Sequence, residues 1–363
     1  MGPFNFMKTI YIIPIEPIDA RYTKQWYENI PKILQDEIAI HQLPMKVVTI
    51  DGFQPATGTT KGAFLDFAVT NIYKASQTQK VSELFSQGVI KKGDKFLVTD
   101  AWNPIITPIK YMSDLLDIPV EIHGIWHAGN YDPSDILGYK MKGEWASHVE
   151  RSWFHSCDYN YYATNFHMQM FLKNLDLSIN GIHNKAIRSG QPHTPIIEQC
   201  EQYWSDPKAD YMIWPHRYNA DKQPKIVEDL KYSISGETII TQQMNLSKEE
   251  YYKVLGNCSV IFSCSLHENL GISVMEAVLA GVIPILPDRC SYSEMYLPEF
   301  LYPSEWTSSY ENYCANTNNL ADFINYRLKN RNMFLDRLAK QKQILIEKYL
   351  TPTVMINKLL ETT

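Results

Sequence analysis

Two glutamates, Glu268 and Glu276, stand eight positions apart in CSLHENLGISVMEAVLAGVIPI, which runs from Cys264 to Ile285. The run CSVIFSC before the first of them reads as a strand, and ISVMEAVLA after Gly271 reads as a helix closed by Gly281. A helix start of this kind turns free N–H groups and a partial positive charge outward, which suits a phosphate. Two acids beside it cannot both hold that phosphate, but as hydrogen-bond acceptors they suit hydroxyls. Upstream, WPHRYNADKQP (214–224) places Arg217 and Lys222 five apart after another strand-like run. Two fixed cations there neutralise a diphosphate and stabilise it as a leaving group. A nucleotide-sugar has the complementary layout: sugar hydroxyls, a diphosphate, and ribose hydroxyls. Glu268 then meets the sugar, the helix start the diphosphate, and Glu276 the ribose.

Strands and helices must carry these residues to one place, and the chain alternates accordingly. KTIYIIPIE (8–16), MKVVTIDG (45–52), KFLVTD (95–100), VEIHGIWH (120–127) and YNYYATN (159–165) are β-rich. Helical patterns separate them at 26–43, 63–87, 108–117 and from 166. SINGIHNKAIRSGQPHTP (178–195) lacks periodicity and reads as a linker. Alternation then resumes with strands at 211–216, 237–243, 258–264 and 282–287 and helices between them, and a helical tail follows from about 318 to 360. This predicts an α/β protein with two Rossmann-like domains facing a cleft and C-terminal helices crossing back. The expected boundaries are 1–190 for the N-terminal acceptor domain, 191–340 for the nucleotide-sugar donor domain, and 341–363 for the returning helix.

Composition removes several other classes. GxGxxG is absent because no two of the 16 glycines are two apart, and GxxxxGK[ST] is absent as well, which counts against dinucleotide oxidoreductases and P-loop NTPases. No apolar run approaches the roughly 18–20 residues of a membrane helix, and no secretory signal opens the chain, so the expected location is cytoplasmic. The six cysteines include no CxxC; Cys258 and Cys264 are read as buried thiols, and no metal site is expected. The net charge of −6 is wrong for a protein that coats nucleic acid. Residues 1–195 hold 18 Lys+Arg against 19 Asp+Glu (net −1) and the rest 16 against 21 (net −5), so contact with a polyanion is expected on the N-terminal part. That part carries Lys91, Lys92, Lys95, Lys140 and Lys142, a set that reads otherwise as solvated faces.

Glu268 with Glu276, and Arg217 with Lys222, resemble the C-terminal domain of the retaining GT-B glycosyltransferases of the family 4 type. HENLGISVMEAVLAGVIPILPDRCSYSE together with WPHRYNADKQP is similar, more narrowly, to the branch holding tRNA-queuosine mannosyltransferases and phage DNA-modifying glycosyltransferases. The strong part of this likeness covers about 211–296. The resemblance implies that Glu268 contacts the transferred sugar, Glu276 the ribose, and Arg217 and Lys222 the diphosphate, while the backbone of Asn269, Leu270 and Gly271 cradles sugar and phosphate. It implies a UDP-linked donor as substrate, no bound cofactor and no DxD metal site. It also implies a histidine near the anomeric carbon, for which His123 and His127 in EIHGIWHAGNYDP stand at a strand end; His127 is preferred.

The acceptor suggested by the phage branch is hydroxymethylcytosine in DNA, its base flipped to expose the hydroxyl, in a host cytoplasm. Trp102, Asn103 and the aromatics of WASHVERSWFHSCDYNYY (145–162) are candidates to face it. The competing readings are a tRNA, saccharide or small-molecule acceptor, a non-catalytic nucleotide-sugar-binding subunit, and a phosphorylase or epimerase using the same groups.

Overall fold

The computed structural model describes residues 7–18, 22–53, 65–177, 184–205 and 207–361. The chain divides into two compact units: Met1–Ala163, His167–Pro192 and Pro352–Thr363 form the first, and Thr164–Phe166 and His193–Thr351 the second.

The first unit contains strands β1 (Lys8–Ile13), β2 (Met45–Thr49), β3 (Lys95–Val98), β4 (Glu121–Ile125), β5 (Tyr159–Tyr162) and β6 (Ala186–Arg188). They form one parallel sheet in the order β2-β1-β3-β4-β5-β6. Its helices are α1 (Tyr22–Ile40), α2 (Val69–Ser86), α3 (Ile106–Leu115), α4 (Ile136–Lys140), α5 (Glu144–Ser156) and α6 (Asn165–Asn174). Strand alternation splits the core between the two faces. Tyr11 and Ile13 point with Phe96, Val98 and Trp126 into one cluster, and Ile10 and Ile12 point into the other with Trp26, Ile30 and Leu34 of α1.

The second unit contains β7 (Ala209–Trp214), β8 (Glu237–Ile240), β9 (Cys258–Phe262), β10 (Ile283–Pro287) and β11 (Leu301–Tyr302), parallel in the order β11-β10-β9-β7-β8. Its helices are α7 (Pro195–Glu201), α8 (Pro224–Leu230), α9 (Lys248–Asn257), α10 (Ile272–Leu279), α11 (Cys290–Met295), α12 (Tyr310–Lys329) and α13 (Leu335–Leu345). A last helix, α14 (Thr353–Leu360), belongs to the first unit, where Met355, Ile356, Leu359 and Leu360 join the cluster under α1. β9 and β10 are buried along their whole length, which is why they read as unbroken apolar runs.

Three local expectations change. The stretch read as a linker contains β6, a three-residue edge strand paired with β5; so short an element needs no periodicity, and residues 178–183 lie outside the described residues, as do 63 and 64 at the expected start of α2. The tail is three helices, broken after Lys329 and before Pro352. Lys95 lies on no solvated face: it is buried, and its ammonium pairs with Glu121 at 2.7 Å and donates to the Lys358 carbonyl of α14 at 3.0 Å.

Candidate active site

Ligands of open parallel sheets bind beyond the carboxyl ends of the strands where the strand order reverses. In the second unit that point lies between β7 and β9. His216, Arg217 and Lys222 follow β7, and the turn Ser263–Gly271 follows β9. Gln223, itself in the left-handed region at φ 51°, ties the two segments by donating to the Cys264 carbonyl at 2.6 Å and the Thr307 carbonyl at 2.7 Å. Arg289 holds the same turn from the other side through the carbonyls of Ser265 and Cys264.

Lys222 and Glu268 meet at 3.2 Å. The buried Lys222 ammonium also donates to the His267 carbonyl at 2.6 Å and pairs with Asp221 at 3.3 Å, so each of its three protons has a protein acceptor. Burial works against its charge, yet Glu268 and Asp221 outweigh it and hold the ammonium above its ordinary pKa. For Glu268, burial pushes the carboxyl up, and Lys222 more than offsets this, leaving it below the usual carboxylate value. The other Glu268 oxygen accepts the Gly271 N–H at 3.0 Å. Gly271 begins α10 at φ +76°, a conformation open to glycine, and a Cβ there would sit 3.1 Å from a Tyr292 ring carbon. No side chain caps α10, so its first N–H groups face the turn that carries Asn269 and the buried Leu270. The Asn269 carbonyl accepts from Thr164 at 3.1 Å.

The expected pair of cations is unequal. Arg217 is exposed, and its guanidinium makes no ion pair or hydrogen bond among the described residues, whereas Lys222 is fully engaged. Glu276 is buried, and its Oε1 accepts from Lys248 at 2.5 Å and Tyr252 at 2.9 Å. A capping box between Ser247 and Glu250 starts α9 and fixes Lys248 and Tyr252 one turn apart, facing the acid. Both of these bonds fall on Oε1.

His216 was not singled out by residue type, although its place directly after β7 was a usable signal. It is buried, its Nε2 has no hydrogen-bond partner, and burial together with the Lys222 charge pushes its pKa down to about 3, so the ring is neutral at pH 7. Asp221 and the His267 carbonyl were likewise missed, since only folding brings them to Lys222.

In the first unit the strand order reverses between β1 and β3. A pocket opens there, lined after these strands and β4 by Ile15, Asp100 and His127, with Trp102, Phe67 and Leu137 on its walls. Lys74, buried, pairs with Asp100 at 3.3 Å and donates to the Trp102 carbonyl at 2.6 Å. His127 Nε2 lies 2.6 Å from the Thr99 carbonyl, so Nε2 carries the proton and Nδ1 is the acceptor facing the Tyr22 hydroxyl at 3.4 Å. Burial lowers its pKa and keeps it neutral. His123 lies elsewhere, wholly buried between Tyr161 at 2.8 Å and Glu121 at 2.7 Å. Asn103 is also structural, its Oδ1 accepting the Ile105 N–H at 3.1 Å. Of the aromatic stretch, Trp153, Phe154, Tyr161 and Tyr162 fill the core, and Trp145 is exposed. Among the described residues no group of acids, histidines and cysteines could hold a metal ion, and no helix is long and apolar enough to cross a membrane. The cysteines are free thiols, Cys258 and Cys264 buried.

No family model matches the chain. A tRNA-queuosine alpha-mannosyltransferase from Drosophila melanogaster is 29% identical over an alignment of 154 residues that covers 33% of this chain and 41% of the fly protein, well under half of that relative's length. Among solved structures, Anabaena HepE in complex with UDP and glucose aligns over 97% of both chains with TM-score 0.54 and 14% identity. Sucrose-phosphate synthase from Thermosynechococcus elongatus aligns over 94% of this chain and 99% of its own with TM-score 0.51 and 12% identity. With two parallel-sheet units and neighbours of this kind, the chain has the GT-B glycosyltransferase fold.

Proposed function

We propose that this protein is a retaining, metal-independent glycosyltransferase of the family 4 type that moves a sugar, glucose or arabinose, from its UDP-linked donor to a hydroxyl. The observation that carries this reading is the Lys222–Glu268 pair set beside the uncapped, glycine-started α10, with the free Arg217 nearby in sequence. Glu268, ionised and oriented by Gly271 N–H, accepts from the sugar hydroxyls. Arg217 and the first N–H groups of α10 take the diphosphate, Lys222 adds positive charge and fixes Glu268, and Glu276 takes a ribose hydroxyl.

In the reaction the bond between the anomeric carbon and the β-phosphate oxygen breaks as the acceptor oxygen bonds to that carbon on the same face, and the acceptor proton passes to the departing phosphate. Positioning and stabilisation of the leaving diphosphate supply the rate. No protein nucleophile takes part.

The cavity of the first unit is the acceptor site in this reading, with neutral His127 and the Asp100–Lys74 pair as its polar groups. Hydroxymethylcytosine of phage DNA, modified in the host cytoplasm, is the favoured acceptor on motif resemblance. Queuosine of tRNA is a second reading, favoured by the named activity of the fly relative. Incubation with UDP-glucose and UDP-arabinose, alone and with hydroxymethylated DNA, queuosine tRNA or oligosaccharides, tests the proposal by the mass of the products. A sugar mass gained by one acceptor supports it. Consumption of the donor independent of every acceptor favours a phosphorylase or epimerase, and no consumption at all favours a binding subunit.

A further inference from the structure

The donor chemistry leaves one surface of the first unit unused. Between α4 and α5 the chain reads Tyr139-Lys140-Met141-Lys142-Gly143-Glu144-Trp145. Its inner side belongs to the cavity wall: Ile136 and Leu137 pack with Phe67, Trp102 and Met141, and Leu137, Phe67 and Trp102 line the cavity itself. Its outer side presents Tyr139 at 50% and Trp145 at 56% exposure, with Lys140 and Lys142 exposed and in no ion pair among the described residues. Aromatic rings of this size normally bury most of their area in cores or interfaces.

The stretch is held in shape. Asp135 caps α4 through the Leu137 N–H at 2.9 Å, Asn130 donates to the Met141 carbonyl at 2.8 Å, and Gly143 turns the chain at φ +113°. These bonds hold the backbone of the segment that carries two exposed rings and two exposed ammoniums, next in sequence to Leu137 of the cavity wall. Glu144 is the one acid among Tyr139–Trp145, and Asp135 is occupied by its cap.

We propose that this rim binds the nucleotide strand flanking the acceptor base, Tyr139 and Trp145 stacking on neighbouring bases and Lys140 and Lys142 meeting phosphates. Rings interleaved with cations are the pattern that grips a single strand of DNA or RNA without reading its sequence. The local character of the patch reconciles such contact with a chain of net charge −6, which excludes an extended basic footprint. The proposal rests on the reading that the cavity takes a base, and it adds the strand as the partner.

The test is fluorescence anisotropy of the full chain with labelled twelve-nucleotide DNA and RNA single strands across a salt series (probe length of about one single-strand site), with phosphatidylserine vesicles as a further arm. Trp145→Ala and Tyr139→Ala are expected to weaken strand binding roughly tenfold each. Lys140→Ala/Lys142→Ala is expected to flatten the slope of log affinity against log salt by about 1.4. Lys91→Ala/Lys92→Ala, at exposed lysines away from this loop, serves as the control and should change little. Consumption of UDP-sugar with a small hydroxyl acceptor should persist in all the loop variants. DNA bound better than RNA, or the reverse, identifies the source of the strand. The proposal is overturned by wild-type protein that binds neither strand, by loop variants that bind as wild type, or by binding to vesicles in place of strands. If sugar is still transferred to a small hydroxyl acceptor in any of those cases, the glycosyltransferase reading stands while the proposal fails. If strands bind at the loop but no donor is ever consumed, the failure belongs to the glycosyltransferase reading.

Discussion

Replacing Lys222 by methionine should cost stability as well as activity, because its ammonium is the buried counter-charge of Glu268. The pair stands at 3.2 Å. With an effective dielectric of about 20 their attraction is about 5 kcal/mol, and desolvation of both groups cancels part of it. Removing one partner of a buried pair leaves the other uncompensated, for a net loss of about 3 kcal/mol. For a unit the size of Thr164–Phe166 plus His193–Thr351, this lowers the melting temperature by roughly 6–12 °C. Urea unfolding at neutral pH measures the loss. Lys222→Met/Glu268→Gln should be more stable than the sum of the single changes implies, by at least about 1 kcal/mol.

The pH dependence has a defined sign. Glu268 is held below its ordinary value of 4.5, so the stability it adds is present above pH 4.5 and is lost as pH falls through its lowered folded value. Lys222→Met should erase that acid-side loss. Arg217→Ala, at an exposed side chain, should leave unfolding within about 0.5 kcal/mol while depressing turnover. A Lys222→Met protein as stable as wild type would refute the reasoning about the pair.

Further predictions concern the supporting residues. Glu276→Gln should raise the KM for UDP-sugar about tenfold with kcat little changed, since in the proposed reading the acid serves binding and not the bond that breaks; steady-state kinetics separates the two. Gly271→Ala should destabilise by about 1–2 kcal/mol from its left-handed backbone and reduce turnover by displacing the N–H that orients Glu268, as denaturation and kinetics together would show. Glu150 is buried against the Trp102 indole and the Asn130 and Tyr131 amides, and burial raises its pKa from 4.5 to about 7. Between those values the unfolded chain has released a proton the folded one still holds, so stability should fall as pH rises from 4.5 to 7, by up to about 3 kcal/mol. Glu150→Gln should flatten that slope in unfolding measurements from about pH 3.5 to 8, a span that reaches about one unit beyond each end of the window.

The sheet strands were legible because buried parallel strands are written as short apolar runs, and strand ends pointed to Glu268, Arg217 and His127. The edge strand β6 was not, since three residues among glycine, asparagine and proline carry no pattern. The triple engagement of Lys222 and the Lys248–Tyr252 grip on Glu276 were equally invisible: Lys222 and Glu268 are 46 residues apart, and Lys248 and Glu276 are 28 apart. Spacing named the charges at the site. Folding decided which of them is free, and that cation is Arg217. The likeness of the fold to GT-B enzymes sets the architecture, while the donor chemistry rests on the side chains after β7 and β9.

The most direct measurement of the central claim is UDP release from UDP-glucose and UDP-arabinose by wild type and Glu268→Gln, run in parallel with the acceptor panel and a check of folding by circular dichroism. Donor consumed in step with sugar gained by an acceptor, and turnover at least about a hundredfold lower in a folded Glu268→Gln, is the predicted result. Undiminished turnover in that variant, or no UDP released from either donor with any acceptor, would contradict it.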